Sequence, residues 1–221
     1  MIISKKIYFS FIILIFSIAA PGAPGTDDDM QLWNDCHLNG VISYNIFRTA
    51  MNGYRKLDTV KKKNLLTIVD YSKPSTDRRF FVIDIEKKQL LYKCLVAHGK
   101  NSGDLYAEKF SNSPETLKSS LGFFITGEIY YGRHGIALRL DGREKGINDN
   151  ARMREIVIHG ADYVSDEFIR KYGRAGLSWG CPALPVDVTK DIVSLICDGS
   201  CLFIYANDKY YQEHTAFPSA P

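Results

Sequence analysis

Two short motifs in the second half of the chain place the strongest constraint on its fold. They are Ile158-His159-Gly160 and the segment 178–182, which reads Ser-Trp-Gly-Cys-Pro. His159 and Cys181 stand 22 positions apart. Because only residues three or four positions apart meet on one helix face, no single helix can join them. If the imidazole and the thiol act together, the tertiary fold must bring them into contact.

An imidazole beside a thiol is typical of the active site of a thiol acyl-transfer enzyme. Cysteine attacks as the thiolate, and its ordinary pKa of about 8.5 leaves little of it ionised at neutral pH. Cys181 is therefore the candidate nucleophile and His159 the candidate base. The alternative is a buried structural cysteine and a structural histidine, which is the commoner state of each residue alone. Their pairing and the flanking glycines favour the catalytic interpretation.

The residues between the motifs predict how each one is presented. Residues 155–158 are typical of a strand that delivers His159 at its end, and residues 165–172 have helical spacing. Gly173 and Gly176 interrupt this helix before the cysteine. Cys181 is therefore predicted in a glycine-rich turn, where the backbone N–H groups of residues 179–181 can hold an oxyanion, at about 3 kcal/mol per donor.

These motifs also resemble a known family, the L,D-transpeptidase (YkuD-type) domain that remodels bacterial peptidoglycan. The chain is most similar to the divergent murein L,D-transpeptidase branch with Ser-Trp-Gly-Cys-Pro-Ala in place of the commoner Ser-His-Gly-Cys. The resemblance spans about residues 65–205, and it includes these further segments: Val82-Ile83-Asp84, residues 96–103, residues 119–124, residues 148–151 and residues 199–205.

The resemblance implies roles for individual residues. Cys181 would be the nucleophile and His159 the general base, with Ser178 and the Gly180 backbone shaping the site. Trp179 departs from the commoner pattern, which has a second histidine there, and an indole cannot act as a base. The implied fold is the β-sandwich-type fold of the L,D-transpeptidases with peripheral helices.

Four residues are candidates for substrate binding: His98, His134, Arg139 and Trp179. The two histidines follow predicted strand or turn ends, and a structural role is the leading alternative for both. Arg139 belongs to a basic stretch between residues 133 and 174 that would suit a substrate with free carboxylates. A solvated basic face with acidic neighbours explains the same stretch, so no carboxylate clamp is assigned.

Composition fits one exported domain. Residues 1–20 carry Lys5 and Lys6 before an apolar block, which predicts a signal peptide, and an uncleaved membrane anchor is the alternative. Residues 21–37 are predicted as a linker, 38–208 as the catalytic domain with an N-terminal helix, and 209–221 as a C-terminal tail. Without residues 1–20 the net charge is +1, which argues against a nucleic-acid partner.

The remaining cysteines carry little functional signal. If Cys181 is the nucleophile, Cys36, Cys94, Cys197 and Cys201 could form disulfides in three pairings. The last three are more simply interpreted as small core residues. A zinc site on Cys197, Cys201 and His214 would lack a fourth ligand. The sequence therefore predicts chemistry that needs neither a metal nor an organic cofactor.

Hydrophobic spacing predicts the remaining elements. Helices are expected at 41–57 and at 188–197, the latter capped by Asp187, and strands at 65–69, 79–85, 89–97, 122–126, 137–140 and 202–205. The strands at 79–85 and 89–97 are expected to form a hairpin through residues 86–88. This pattern is mainly β or α+β, with mostly antiparallel strands. The long segment 100–120 is a candidate lid.

The sequence therefore indicates a bacterial cell-envelope (secreted or periplasmic) enzyme that transfers an acyl group between peptidoglycan stem peptides through a Cys181 thioester. Two alternatives remain open at this stage. A hydrolase with the same Cys181 and His159 would give the thioester to water and act as a carboxypeptidase, endopeptidase or amidase. A non-catalytic exported module would bind peptidoglycan and do no chemistry.

Overall fold

The computed structural model describes residues 26–57, 64–132 and 135–218. Its helices are α1 (Thr26–Asp35), α2 (Tyr44–Lys56), α3 (Asp166–Tyr172), α4 (Val186–Ile196) and α5 (Lys209–His214). Its strands are β1 (Leu65–Asp70), β2 (Phe80–Asp84), β3 (Gln89–Cys94), β4 (Gly122–Gly132), β5 (Gly135–Gly142), β6 (Val157–Gly160), β7 (Ala183–Leu184) and β8 (Cys201–Tyr205).

The eight strands form one mixed sheet in the order β3-β2-β1-β8-β4-β5-β6-β7. The β1–β8 and β6–β7 pairs are parallel, and the other neighbouring pairs are antiparallel. The two ends of this order then meet, because Ala97 beyond β3 pairs with Ala183 of β7, and Gly99 pairs with Ser178. The sheet therefore nearly closes on itself. This architecture, with helices on the outside, confirms the predicted mixture of mostly antiparallel strands and peripheral helices.

The central strands are buried on both faces, so their sequences are continuously apolar. Every residue of β1 and β2 is buried, and β8 is buried except for half-buried Tyr205. Strands covered on both sides do not show the alternation of a half-exposed strand. Strand β2 lies within the predicted 79–85 strand, and both of its faces are buried.

Helix α2 covers one side of the sheet. Ser43 caps it by accepting a hydrogen bond from the Ile46 N–H, which fixes the start of the predicted 41–57 helix at Tyr44. Gly53 costs about 1 kcal/mol relative to alanine in a helix interior. It is required here because the Phe123 ring occupies the space that a Cβ would need. Phe123 in turn stacks on Phe203 of β8, with ring centroids 4.3 Å apart.

Most other predicted elements are confirmed, with shifted ends. The hairpin of β2 and β3 is present, and α3 begins after Ser165, whose hydroxyl accepts the Phe168 N–H. Helix α4 starts two residues early, and its N-cap position is Pro185, so the predicted Asp187 cap was wrong. Asp187 instead lies in the first turn, where a carboxylate favours the positive end of the helix dipole.

The segments predicted as a linker and as a C-terminal tail both contain a helix. Residues 26–35 of the predicted linker form α1, which packs on α2, and Cys36 behind it is buried. The predicted tail begins with α5, whose Tyr211 is also buried. The buried Glu144 carboxylate holds this segment by accepting hydrogen bonds from the Tyr211 hydroxyl and the Ala216 N–H. Both segments look polar in sequence but bury a few apolar side chains each.

The signal-peptide prediction concerns residues 1–20, which lie outside the described residues. In the described part of the chain, none of the helices combines the length and apolar character needed to cross a membrane.

Candidate active site

The pairing of β6 with β7 places the two motifs side by side. His159 of β6 lies opposite Ala183 of β7 in a parallel pair. Counting two residues back from this pair along each strand brings Val157 beside Cys181. Because side chains two positions apart on a strand share a face, Val157 and His159 both face the side on which Cys181 lies. A chain separation of 22 residues is thus closed by one strand pairing.

The segment just before His159 cradles the thiol. The Val157 N–H donates to Cys181 Sγ over 3.5 Å, and Sγ–H donates to the Glu155 carbonyl oxygen over 3.6 Å. Burial raises the pKa of the Cys181 thiol, and the Glu155 carboxylate adds to this rise, whereas the Val157 amide and the Arg154 guanidinium oppose it. The thiol therefore keeps its proton at neutral pH and needs a base to attack.

His159 is buried, and its ring has a defined tautomer. Nδ1 lies 3.0 Å from the carbonyl oxygen of Gly160. Because a carbonyl oxygen can only accept, Nδ1 carries the proton, and Nε2 has the lone pair that a general base requires. Gly160 thus orients the ring through its backbone.

Ser178 shapes the cysteine turn from within. Its hydroxyl donates to the Cys181 carbonyl oxygen over 2.6 Å and accepts the Gly180 N–H over 3.1 Å. The Gly180 N–H is therefore already used inside the turn, which corrects its expected role as an oxyanion donor. Gly180 has φ +124°, and a Cβ there would lie 2.8 Å from the Lys118 carbonyl oxygen, so only glycine fits. Across the described residues, the Cys181 N–H has no hydrogen-bond acceptor.

His98 contacts this turn from the protein interior and does not line the cleft. Its carbonyl oxygen accepts the Ser178 N–H over 2.9 Å. Its ring is fully buried, with Nδ1 accepting from the Arg79 guanidinium over 2.7 Å and Nε2 facing the Gly103 carbonyl oxygen. Burial and the Arg79 charge lower the pKa of His98 to about 4, so the ring is neutral. The structure thus places His98 in the interior and not among the residues that line the cleft, because the chain beyond β3 turns inward there.

Cys181 and His159 open into one cavity of about 700 Å³, which we call the Cys181 cleft. The β4–β5 hairpin forms one wall with Tyr130 and Arg139, and Trp179 lies at the rim with 71% of its surface exposed. Arg139 donates through Nε to Glu128 over 3.0 Å, and its guanidinium lies 4.5 Å from the centre of the Tyr130 ring. The structure thus places Arg139 and Trp179, two of the predicted substrate-binding residues, in the cleft.

Sequence reasoning missed several residues of the cleft, among them Arg154, Glu155 and Tyr163. Arg154 appeared only as one member of the basic stretch. Its position beside the thiol follows from the β6–β7 register, which no local spacing reveals. Burial raises the pKa of Tyr163 to about 12, so this phenol stays protonated at neutral pH.

His134 lies outside the described residues. The other four cysteines are buried and form no disulfide, which agrees with the predicted core positions of Cys94, Cys197 and Cys201. Burial raises the pKa of Cys94 to about 12. Over the parts of the chain that the structure describes, no group of three histidine, cysteine or acidic side chains is placed to bind a metal ion.

The comparison with family models decides the classification. A model described as the L,D-transpeptidase catalytic domain matches residues 38–205, well over half of the chain. The chain belongs to this family. The match also confirms the fold class, because the nearly closed sheet with peripheral helices is the L,D-transpeptidase architecture.

Solved L,D-transpeptidase structures are distant relatives of this member of the family. An L,D-transpeptidase from Mycobacterium smegmatis is 15% identical, with a TM-score of 0.40 over 65% of this chain and 59% of that one. L,D-transpeptidase 3 from Mycobacterium tuberculosis is 10% identical, with a TM-score of 0.41 over 64% of this chain and 61% of that one. The helical cell shape determining protein Pgp2 from Campylobacter jejuni is 15% identical, with a TM-score of 0.43 over 68% and 50%.

This L,D-transpeptidase chain therefore spans 50–61% of the length of these three proteins. No curated protein matches the chain.

Proposed function

We propose that this chain is a cysteine-dependent L,D-transpeptidase that acts on peptidoglycan stem peptides in the bacterial cell envelope. One observation carries the proposal, namely that the Cys181 thiol and the His159 imidazole, whose Nδ1 contacts the Gly160 carbonyl oxygen, line the same cleft of an L,D-transpeptidase domain. The family supports a peptidoglycan substrate, and the geometry supports the assignment of Cys181 as the nucleophile.

In the first half-reaction, Cys181 Sγ attacks the carbonyl carbon of an L,D peptide bond beside a terminal D-amino acid. His159 Nε2 accepts the thiol proton as the carbon–sulfur bond forms, which suits a thiol whose pKa burial has raised. The imidazolium then gives the proton to the leaving nitrogen. The carbon–nitrogen bond breaks, the D-amino acid leaves, and a thioester remains on Cys181.

In the second half-reaction, the amine of a neighbouring stem peptide attacks the thioester carbonyl carbon. His159 Nε2 accepts a proton from this amine, and the same proton returns to Sγ as the carbon–sulfur bond breaks. The product is a cross-link between two stems. Water in place of the amine would give a trimmed stem by the same steps.

The oxyanion of both half-reactions requires backbone donors at the cysteine turn. The Gly180 N–H is committed to Ser178, whereas the Cys181 N–H has no acceptor within the described residues and belongs to the nucleophile itself. We assign the oxyanion to the Cys181 N–H. Preorganised donors of this kind contribute about 3 kcal/mol each to transition-state binding.

Arg139 and Trp179 are assigned to substrate binding. The Glu128 carboxylate and the Tyr130 ring hold the Arg139 guanidinium at the cleft wall, where a carboxylate of the stem peptide would reach it. Trp179 offers an exposed apolar surface two residues from the nucleophile.

A muropeptide profile of purified sacculi incubated with the protein tests this function. A new cross-linked species that requires Cys181 supports the transpeptidase, and a new trimmed stem that requires Cys181 assigns the hydrolase instead. The Cys181→Ala variant should leave the profile unchanged. Cys197→Ala removes a buried thiol outside the cleft and is the matched control, which should retain the wild-type profile. An unchanged profile with wild-type protein contradicts both enzymatic functions.

A further inference from the structure

Arg154 is a half-buried cation that makes no carboxylate contact. Its guanidinium donates hydrogen bonds to four neutral oxygens, the backbone carbonyls of Ser111 and Lys118 and the hydroxyls of Thr116 and Ser120. Among the residues that the structure describes, no carboxylate lies within ion-pair distance of it. Its charge is therefore not neutralised locally.

Neighbouring arginines differ in this respect. Arg152, two residues earlier, forms ion pairs with Asp141 and Glu128, and Arg139 also binds Glu128. A half-buried cation without a counter-ion destabilises the fold, because burial removes hydration that only an opposite charge fully replaces. This cost indicates that the charge has a function. Burial accordingly lowers the pKa of Arg154.

The Ser111–Ser120 loop that Arg154 binds lies against the cysteine turn. A Cβ on Gly180 would contact the Lys118 carbonyl oxygen, and the Ser119 hydroxyl donates to the Gly180 carbonyl oxygen over 3.1 Å. On its other side, Arg154 continues directly into Glu155 and Val157, which hold Cys181 Sγ. Arg154 thus joins the loop to the chain segment that cradles the nucleophile, and it lines the same cleft.

We propose that Arg154 is a positioning residue that fastens the Ser111–Ser120 loop onto the cysteine turn and supplies the fixed positive charge that stabilises the Cys181 thiolate. This inference rests on the proposed role of Cys181 as nucleophile. It assigns to one side chain two effects, loop anchoring and charge, that different variants can separate.

Several other ionisable groups surround the thiol. The hairpin contributes the Tyr130 phenol and the Arg139 guanidinium, β6 and the residues that flank it contribute His159, Glu155 and Tyr163, and Tyr71 approaches from the interior. Glu155 raises the pKa of Cys181, and Arg154 lowers it. Arg139 is neutralised by Glu128, so Arg154 is the cation whose removal should raise the pKa of the thiol most.

The test is the pH dependence of Cys181 alkylation by iodoacetamide, measured by mass spectrometry of the peptide that contains Cys181 between pH 6 and pH 10. No peptidoglycan is needed. Arg154→Gln should move the midpoint upward by about 1 pH unit and slow alkylation below the midpoint by about tenfold, as expected for loss of a nearby opposite charge. Arg154→Lys, which keeps the charge, should restore most of the shift. Arg152→Gln is the matched control and should behave as wild type.

The rate of backbone amide hydrogen exchange in residues 111–120 tests the anchoring role. Both Arg154 variants should increase exchange in this loop, because lysine cannot make the same set of hydrogen bonds. Thr116→Val combined with Ser120→Ala should also increase exchange but leave the alkylation midpoint unchanged. If Arg154→Gln fails to fold, this double variant still tests the anchoring role.

The proposal is overturned if Arg154→Gln and wild type share one alkylation profile, or if the lysine and glutamine variants shift equally. It is also overturned if neither Arg154 variant changes exchange in the loop. A shifted profile together with an unchanged muropeptide profile would refute the proposed substrate and leave the role of Arg154 standing.

Discussion

The Val157 backbone N–H donates to the Cys181 sulfur over 3.5 Å. This contact results from the parallel pairing of β6 with β7, so the two motifs are joined by main-chain structure. His159 is therefore held by β6, and Cys181 lies in the turn two residues before β7, so both side chains line one cleft. Such rigid placement is what covalent catalysis by a cysteine requires.

Replacement of His159 should remove the base while keeping the cleft. In His159→Gln, the amide can replace the hydrogen bond to the Gly160 carbonyl but cannot accept the thiol proton. We expect turnover to fall by about 100-fold or more, which is typical for loss of a general base. Initial rates of stem-peptide release at pH 7 measure this effect. A variant with near wild-type rates would show that another group deprotonates Cys181.

The turn that holds Cys181 should not tolerate a side chain at position 180. Gly180→Ala would combine an unfavourable φ of +124° with contacts to the Lys118 carbonyl oxygen and the Ile156 side chain. We expect a loss of about 2 kcal/mol or more in the free energy of unfolding, together with low activity. Urea unfolding measures the stability.

Gly146→Ala provides the matched control for this position. Gly146 also has a positive φ, +79°, but a Cβ there would meet no atom within 4 Å. This control should lose only the cost of backbone strain, about 1 kcal/mol, and retain activity. Equal losses in the two variants would show that crowding at Gly180 is unimportant.

The free energy of unfolding should fall in mild acid because of the buried His98 ring. Its pKa is about 4 in the folded protein, below the ordinary value of 6.5, so the unfolded chain binds more protons between these two values. Stability therefore rises with pH across this window and levels off above it. From this group alone, we expect the free energy of unfolding to be about 2 kcal/mol lower at pH 5 than at pH 7.5.

The variant His98→Asn isolates this effect. An asparagine amide keeps one donor and one acceptor for the Gly103 carbonyl and Arg79, but it does not titrate. Urea unfolding at both pH values should show a smaller pH difference in this variant than in wild type. The same pH difference in both proteins would contradict the neutral, buried state of the ring.

The sequence predicts the fold well where local signals agree with burial. Helix α2 and the β2–β3 hairpin have clear periodicity or turn residues, and they form where expected. Strands β4 and β5 are longer than predicted, because their outer residues are half-buried or exposed and extend the pairing of the buried inner residues. Helices α1 and α5 escaped prediction because tertiary packing, with few apolar residues, stabilises them.

The site was predictable only in part. Cys181 and His159 are visible because their residue types and glycine neighbours are unusual together. The interior position of His98 is not visible, because it depends on Arg79, which lies 19 positions earlier, just before β2. The cleft position of Arg154 is hidden in the same way, since it follows from strand register and from a loop that folds back by more than 30 residues.

The most direct test of the account is to capture the thioester on Cys181. The protein is mixed with a purified muropeptide whose stem ends in an L,D peptide bond, quenched rapidly in acid, and analysed by intact-protein and peptide mass spectrometry. We predict an adduct on the Cys181 peptide with the mass of the donor minus its terminal D-amino acid, which hydroxylamine removes and which Cys181→Ala lacks. An adduct on another residue, or turnover by Cys181→Ala, would contradict the assignment of Cys181 as the nucleophile.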